Sequence, residues 1–294
     1  MDILEPLLAS GIRFAIPLLI AALGELVSQR AGVTNIGTEG YMAAGAFTGF
    51  AVMLAGGGAP GALVVAAVAG ILCASIMAIA AVWLGANQIL VGFALFVLLP
   101  NLAGFLYLQL GITGTVAPFV PLPLPVLSSI PIAGPTLFTQ SILFYAAILA
   151  AILLAQFFTR TRSGLALVAV GHDPAVAASR GIRVKSVQTA AVLFGGLMSG
   201  LGGAALAIGS VGSYSPGLID GRGLIVIAIV ILGRWTVTGV VVGATLIGVL
   251  DAAQLVFSDT TAIPIQLFAA LPWVIVLVAL LISVRLRSHQ PRSL

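Results

Sequence analysis

Two consecutive stretches decide the fold: ILFYAAILAAILLAQFF at residues 142–158 and RTRSGLALVAVGHDPAVAASRGIRVK at residues 160–185. The first is a continuous, uncharged apolar run, of the length that spans the hydrocarbon core of a bilayer as a helix. The second is the only long polar interruption in an otherwise apolar chain. Five of the twelve Lys and Arg residues (Arg160, Arg162, Arg180, Arg183 and Lys185) sit in it, and Asp173 is its sole acid. Basic residues collect in loops kept on the cytoplasmic side of a membrane, so this loop marks that face.

The rest of the chain follows the same rule. Of its 294 residues 61% are hydrophobic and 7% charged, and the mean hydropathy is +1.23, which excludes a soluble domain. The apolar runs are continuous, whereas a transmembrane barrel would show alternating segments of about ten residues. The sequence therefore predicts an all-α, polytopic integral membrane helix bundle. It forms one domain over residues 1–294, with a cytoplasmic loop at 159–186. Spans are expected near residues 11–26, 36–54, 62–84, 89–108, 142–158, 187–208, 223–232, 237–256 and 265–284, about nine in all, with eight to ten compatible. The seventh is too short to cross about 30 Å at 1.5 Å per residue unless it is broken, re-entrant or extended by its flanks.

With nine crossings, Arg285, Arg287 and Arg292 fall on the same side as the basic loop, Arg30 and Arg234. The multi-pass chain then lies in the inner membrane with its C-terminus cytoplasmic. Arg13 and Arg222 are the exceptions, and Asp2, Glu5, Asp220 and Asp259 fall on the outer side. The formal charge of +4 is accounted for by this placement and gives no reason to expect nucleic acid. Met1 to Glu5 lack the basic residues of a cleaved signal, so the first helix is expected to be retained. Between Gln109 and Gln140, six prolines (118, 121, 123, 125, 131 and 135) prevent a continuous helix. That stretch reads as a stiff external connector or as a rim that meets an external partner.

Small residues mark packing faces. Gly195, Ser199, Gly203 and Ala207 recur every fourth position, with Gly196, Gly200 and Ala204 beside them; Gly45 with Gly49 and Gly239 with Gly243 repeat the pattern. Cys73, the single cysteine, reads as a small packing residue.

Polar groups inside apolar runs carry more information, because lipid cannot satisfy them. The candidates are Glu25, Asn35, Glu39, Asn87, Gln88, Asn101, Gln188, Asp251 and Gln254. Asn35, Asn87 and Gln88 lie near span ends, where water or a helix cap would suffice. Glu39, Asn101 and Asp251 lie within spans, and a solute path, a subunit contact or a buried hydrogen-bond pair each accounts for them.

Catalysis is not indicated. His172 and His289 are the only histidines, with no metal-ligand spacing and no carboxylate-imidazole cluster around them. The serines lack a nucleophile-elbow turn. Lys185 is the only lysine and no glycine-rich phosphate cradle precedes it, so the chain has no P-loop. An ion gradient or a separate ATPase must supply the energy. Within the basic loop, Asp173 suits an N-cap, Pro174 the first helical position and Gly181 a C-terminal stop. They bound a short Ala-rich helix, marginal in isolation and ordered by docking to something.

The chain resembles the permease subunits of bacterial ATP-binding-cassette importers in the branched-chain amino acid and ribose permease superfamily, most closely the nucleoside and simple-sugar type. Four blocks carry the resemblance: residues 25–40 (ELVSQRAGVTNIGTEG), 85–89 (GANQI), 160–174 with its Arg-Thr-Arg-Ser-Gly-Leu start and Gly171-His172-Asp173-Pro174 end, and 221–235 with Gly221-Arg222-Gly223 and Gly233-Arg234-Trp235. The family usually has Glu-Asn-Pro where His172-Asp173-Pro174 stands, which leaves the docking role in place but not a contact through the missing glutamate.

The resemblance implies a pore-forming importer half that moves nucleosides or related small polar solutes inward by alternating access; a simple-sugar importer is the alternative, and an ion-coupled secondary transporter a further one. It implies a cytoplasmic ATPase, which holds the ATP and Mg while this chain binds no cofactor. A second, homologous permease and a periplasmic or lipid-anchored solute-binding protein complete the set. Asp173, Pro174, Ala175, Ala178, Arg180, Gly181 and Arg183 are expected to couple to the ATPase. Asn35, Glu39, Asn87 and Asn101 are expected near the translocation path or a subunit contact.

Overall fold

The computed structural model describes residues 4–122, 133–258 and 274, and nearly all of the described chain is helical. α1 (Leu4–Arg30), α2 (Thr38–Leu54), α3 (Gly58–Met77) and α4 (Gln88–Gln109) come first. A short α5 (Ala133–Leu137) precedes α6 (Ile142–Arg160). Two helices, α7 (Arg162–His172) and α8 (Pro174–Ser179), occupy the basic loop. α9 (Val184–Ala204), α10 (Arg222–Leu232) and α11 (Val237–Ser258) complete the described bundle. α3 and α9 run on as π-helical turns, Ala78–Trp83 and Ala205–Val211. Among the described residues six helices are long and apolar enough to cross a membrane, and the run expected at 265–284 lies, but for residue 274, outside them.

Burial sorts these helices. The apolar windows of α9 and α1 are 78% and 61% buried, while those of α3, α4, α6 and α11 are 22–33% buried. The bundle is therefore built around α1 and α9, with the other spans turning apolar faces outward. What lets α9 take the centre is its glycines, since van der Waals packing replaces hydrophobic drive between helices in lipid. Gly195 and Gly202 lie against α1, Gly196 and Gly200 against Gly70 and Ala66 of α3, and Gly203 against the Met42 carbonyl of α2. A methyl group at any of these would meet another backbone or a packed side chain. The expected fourfold row thus splits, serving two partners instead of one.

Basic residues gather at one end of the bundle. Arg30 Nε donates to the Trp235 carbonyl at 2.8 Å, and its guanidinium lies 4.4 Å from the Phe158 ring centroid. Lys185 Nζ donates to the Trp83 carbonyl at 3.3 Å. Gly171 of α7 abuts the Arg30 carbonyl, which seats the basic loop on the α1–α2 connection. The loop holds two helices where the sequence indicated one: Thr161 Oγ1 caps α7 by accepting from Gly164 N at 3.0 Å.

The seventh span is broken. α10 has 11 residues, about 16 Å of helix at 1.5 Å per residue, too little to cross. Its missing half is the nonhelical segment 212–221. Near its start the Tyr214 ring packs on Phe47, Phe50 and Tyr107, and at its end Gly221 is bonded to Glu39. Phe47 lies about two turns beyond Glu39 along α2, so the segment descends into the bundle before α10 begins. Asp220 of this segment is exposed and Arg222 is part-buried. Arg222 meets Asp251 of α11 at 3.8 Å.

Candidate functional site

Two carboxylate sites flank the start of α2. The first is a closed knot around Glu25, whose side chain is fully buried. Its Oε1 accepts from Gln29 Nε2 at 2.9 Å and from the Asn35 backbone N–H at 3.3 Å. The Thr38 hydroxyl proton is shared between Glu25 Oε2, at 3.1 Å, and the Asn35 carbonyl, at 2.8 Å. Tyr41 Oη donates to Asn35 Oδ1 at 3.0 Å, and Trp235 Nε1 donates to Gln29 Oε1 at 2.8 Å. Thr34 N donates to Gln88 Oε1 at 3.1 Å, and Gln188 Nε2 to the Ala31 carbonyl at 3.2 Å. These bonds tie α1, α2, α4, α9 and the α10–α11 turn to one connection. Asn35 Nδ2 is the buried polar atom left without a partner among the described residues.

The second site is a cavity of about 290 Å³ between α2, α4 and the 212–221 segment. Glu39, Phe96, Pro100, Asn101, Tyr214 and Asp220 are among its lining residues. Glu39 holds its floor: Oε1 accepts from Gly221 N at 2.8 Å and Oε2 from Gly223 N at 2.7 Å. A carboxylate from another helix thus caps the positive end of α10, which starts inside the bundle. The Gly-Arg-Gly sequence makes this possible. Gly221 adopts φ +80, and a Cβ on Gly223 would collide with the Glu39 backbone. On the opposite wall, Pro100 cannot donate to the Phe96 carbonyl one turn back. Asn101 Nδ2 donates to the Val97 carbonyl at 2.6 Å, leaving its oxygen free of that bond.

The structure brings together only part of the expected path. Glu39 and Asn101 line the cavity. Asn35 belongs to the buried knot, and Asn87 is the N-cap of α4, its Oδ1 accepting from Ile89 N at 2.9 Å and Leu90 N at 3.2 Å. Phe96, Tyr214 and Asp220 escaped the sequence reading. The available signal was a turn-rich Ser-Pro-Gly and Asp-Gly segment (215–221) beside a span too short to cross.

At the basic end, α8 has the caps expected of it. Asp173 Oδ1 accepts from Ala175 N and Val176 N, both at 3.0 Å, and Pro174 occupies the first turn. Gly181 at φ +81 stops the helix, with Gly181 N donating to the Ala178 carbonyl and Ile182 N to that of Ala177. Ala177 faces inward, while Ala175, Val176, Ala178, Arg180 and Arg183 are exposed. The four sequence blocks now have physical reasons. They build the knot, the α4 cap, the α7–α8 seat and the capped start of α10.

Comparison with known proteins gives the same grouping. The family described as "Branched-chain amino acid transport system / permease component" matches residues 7–284. The chain is 35% identical over 258 residues to a putative glucose ABC transporter permease of Haloferax volcanii, covering 87% of this chain and 78% of the relative. It is 31% identical over 293 residues to the nucleoside ABC transporter permease NupC of Lactococcus lactis, covering 95% and 92%. To the guanosine ABC transporter permease NupQ of Bacillus subtilis it is 32% identical over 273 residues, covering 88% and 84%. No solved structure matches it.

Proposed function

From the premise that this chain belongs to the branched-chain amino acid transport system permease family, and is the transmembrane permease subunit of an ATP-binding-cassette importer, we propose how it is oriented, driven and loaded. It is not itself an enzyme; ATP is hydrolysed in a separate subunit. Arg30, Arg160, Arg162, Arg180, Arg183, Lys185 and Arg234 gather at one end of the bundle, which supports a cytoplasmic location for that end. In a bacterial inner membrane the C-terminus, with Arg285, Arg287 and Arg292, then faces the cytoplasm as well.

The observation that carries the mechanism is α8, a capped helix of 6 residues exposed at the basic end. A helix this short is not stable alone, and it gains order by docking. Its exposed Ala175, Val176 and Ala178 fit a groove on the ATPase that binds ATP and Mg, and Arg180 and Arg183 pair acidic groups at its rim. From α8 a contiguous set of contacts leads inward. α7 seats on Arg30, Arg30 and Gln29 hold Trp235, Gln29 holds Glu25, and Thr38 precedes Glu39 at the cavity. Movement of the docked ATPase shifts this set between two arrangements and opens the cavity alternately to each side. Such a shift requires that ATP-bound and ATP-free partners favour different arrangements.

The solute is a nucleoside or a related small polar compound, in keeping with the names of two relatives at 31% and 32% identity. A simple sugar is the second reading, favoured by the relative named for glucose. A second, homologous permease is proposed to complete the membrane core as a heterodimer. A periplasmic or lipid-anchored binding protein delivers the solute.

Ala178→Glu tests the docking. Placing a charge on the exposed face of α8 is expected to abolish copurification of the ATPase and ATP-driven nucleoside uptake in proteoliposomes, while the variant inserts and elutes normally. Retention of both would remove α8 from the coupling role.

A further inference from the structure

We propose that the cavity between α2, α4 and the 212–221 segment is a solute subsite that seats an uncharged, hydroxyl-bearing ring and turns away anions. This assignment rests on the importer reading and adds to it the residues that select. The cavity, about 290 Å³, is near the lower end of the roughly 300–1,000 Å³ range of small-molecule sites. It is therefore sized for one compact solute.

Its chemistry is one-sided. Glu39 and Asp220 both line it, and no Lys or Arg does. The adjacent cation, Arg222, is turned elsewhere: its Nη1 donates to the Leu218 carbonyl at 3.2 Å and its Nη2 lies 3.8 Å from Asp251. Glu39 also offsets the positive end of α10, which would otherwise attract an anion. A phosphate entering here would meet two carboxylates, while the nearby Arg222 is engaged by Asp251 and the Leu218 carbonyl, so anions are disfavoured.

The acceptors point to a donor-bearing ligand. Asp220 takes part in no hydrogen bond or ion pair among the described residues, and it is held in the left-handed region at φ 44. The Tyr214 hydroxyl likewise makes no hydrogen bond among the described residues, and the residue lines the cavity. Its ring packs against Tyr107, Phe47 and Phe50 at centroid distances of 5.2–6.4 Å. Hydroxyls of a bound ring supply what both residues lack, and Phe96 with the Tyr214 ring offers apolar faces for its planar or C–H surface.

The test uses the complete importer in proteoliposomes, with Cys73→Ser as background and Val97→Cys, at the cavity wall, as a reporter thiol. Guanosine and ribose are the probes and guanosine 5′-monophosphate is the control. Either probe, at about ten times its Kd, is expected to slow alkylation of the reporter about tenfold, since only the unoccupied fraction reacts. The monophosphate leaves the rate unchanged. Adding Tyr214→Phe raises the probe concentration needed about two- to tenfold, the worth of one hydrogen bond. Should Val97→Cys fail to insert, Asn101→Cys reports on the same cavity. Unchanged alkylation with both probes overturns the subsite, and equal protection by the monophosphate overturns its selectivity. Absence of ATP-driven uptake in the parent complex overturns the importer reading instead, while the alkylation rates still decide the subsite.

Discussion

Glu25 and Glu39 stand on either side of one short connection, yet the structure uses them in opposite ways. Glu25 sits in a closed knot, fully buried, with donors from Gln29, Asn35 and Thr38 already in place. Glu39 faces a cavity, spends its two oxygens on the start of α10, and leaves neighbouring Asp220 and Tyr214 without partners. An enclosed polar cluster fixes geometry, whereas polar groups bordering open space can receive a ligand. Residue type alone does not separate the two; access does.

The largest effect is expected at the knot. Glu25→Ala strands donors on Gln29 and Asn35, each buried polar group costing about 1–3 kcal/mol, while Thr38 keeps its bond to the Asn35 carbonyl, so a loss of about 2 kcal/mol or more is expected in thermal unfolding of the detergent-solubilised protein. Glu25→Gln keeps an acceptor and recovers part of it. Were Glu25→Ala as stable as the parent, the contrast between the two sites would collapse.

A smaller loss of stability is expected at the cavity. Glu39→Ala uncaps α10 for about 1–2 kcal/mol, while ATP-driven uptake falls far more than stability does. Equal losses of stability and uptake would make Glu39 a second structural knot.

The smallest effect is expected at Asn87, which caps α4 and lies apart from the cavity. Asn87→Ala costs about 1 kcal/mol, and Asn87→Asp, which keeps the cap, restores both stability and uptake. If Asn87→Asp insertion and folding were normal but uptake stayed low, Asn87 would return to the translocation path.

Much of this was legible before the fold. Asp173, Pro174 and Gly181 announced α8 because caps and stops are local, set by residues two to four positions apart. Spans were legible for the same reason, since a bilayer reads length and hydropathy along the chain. Gly195 to Gly203 announced close packing but not its partners, because one turn of helix presents successive glycines to different neighbours. Asn35, near a span end, and Asn101, within a span, were both expected near the path, and burial in the Glu25 network set the first apart from the cavity.

By itself, then, the sequence determined the membrane class, the basic loop, the caps of α8 and the family, all of which depend on composition and short-range order. Tertiary structure alone decided which carboxylate is closed and which is open. It did so by breaking the seventh span and folding residues 212–221 back toward α2, which placed Gly221 and Gly223 on Glu39 and left Asp220 and Tyr214 facing space. Those contacts join positions more than 180 residues apart, and no local pattern encodes them.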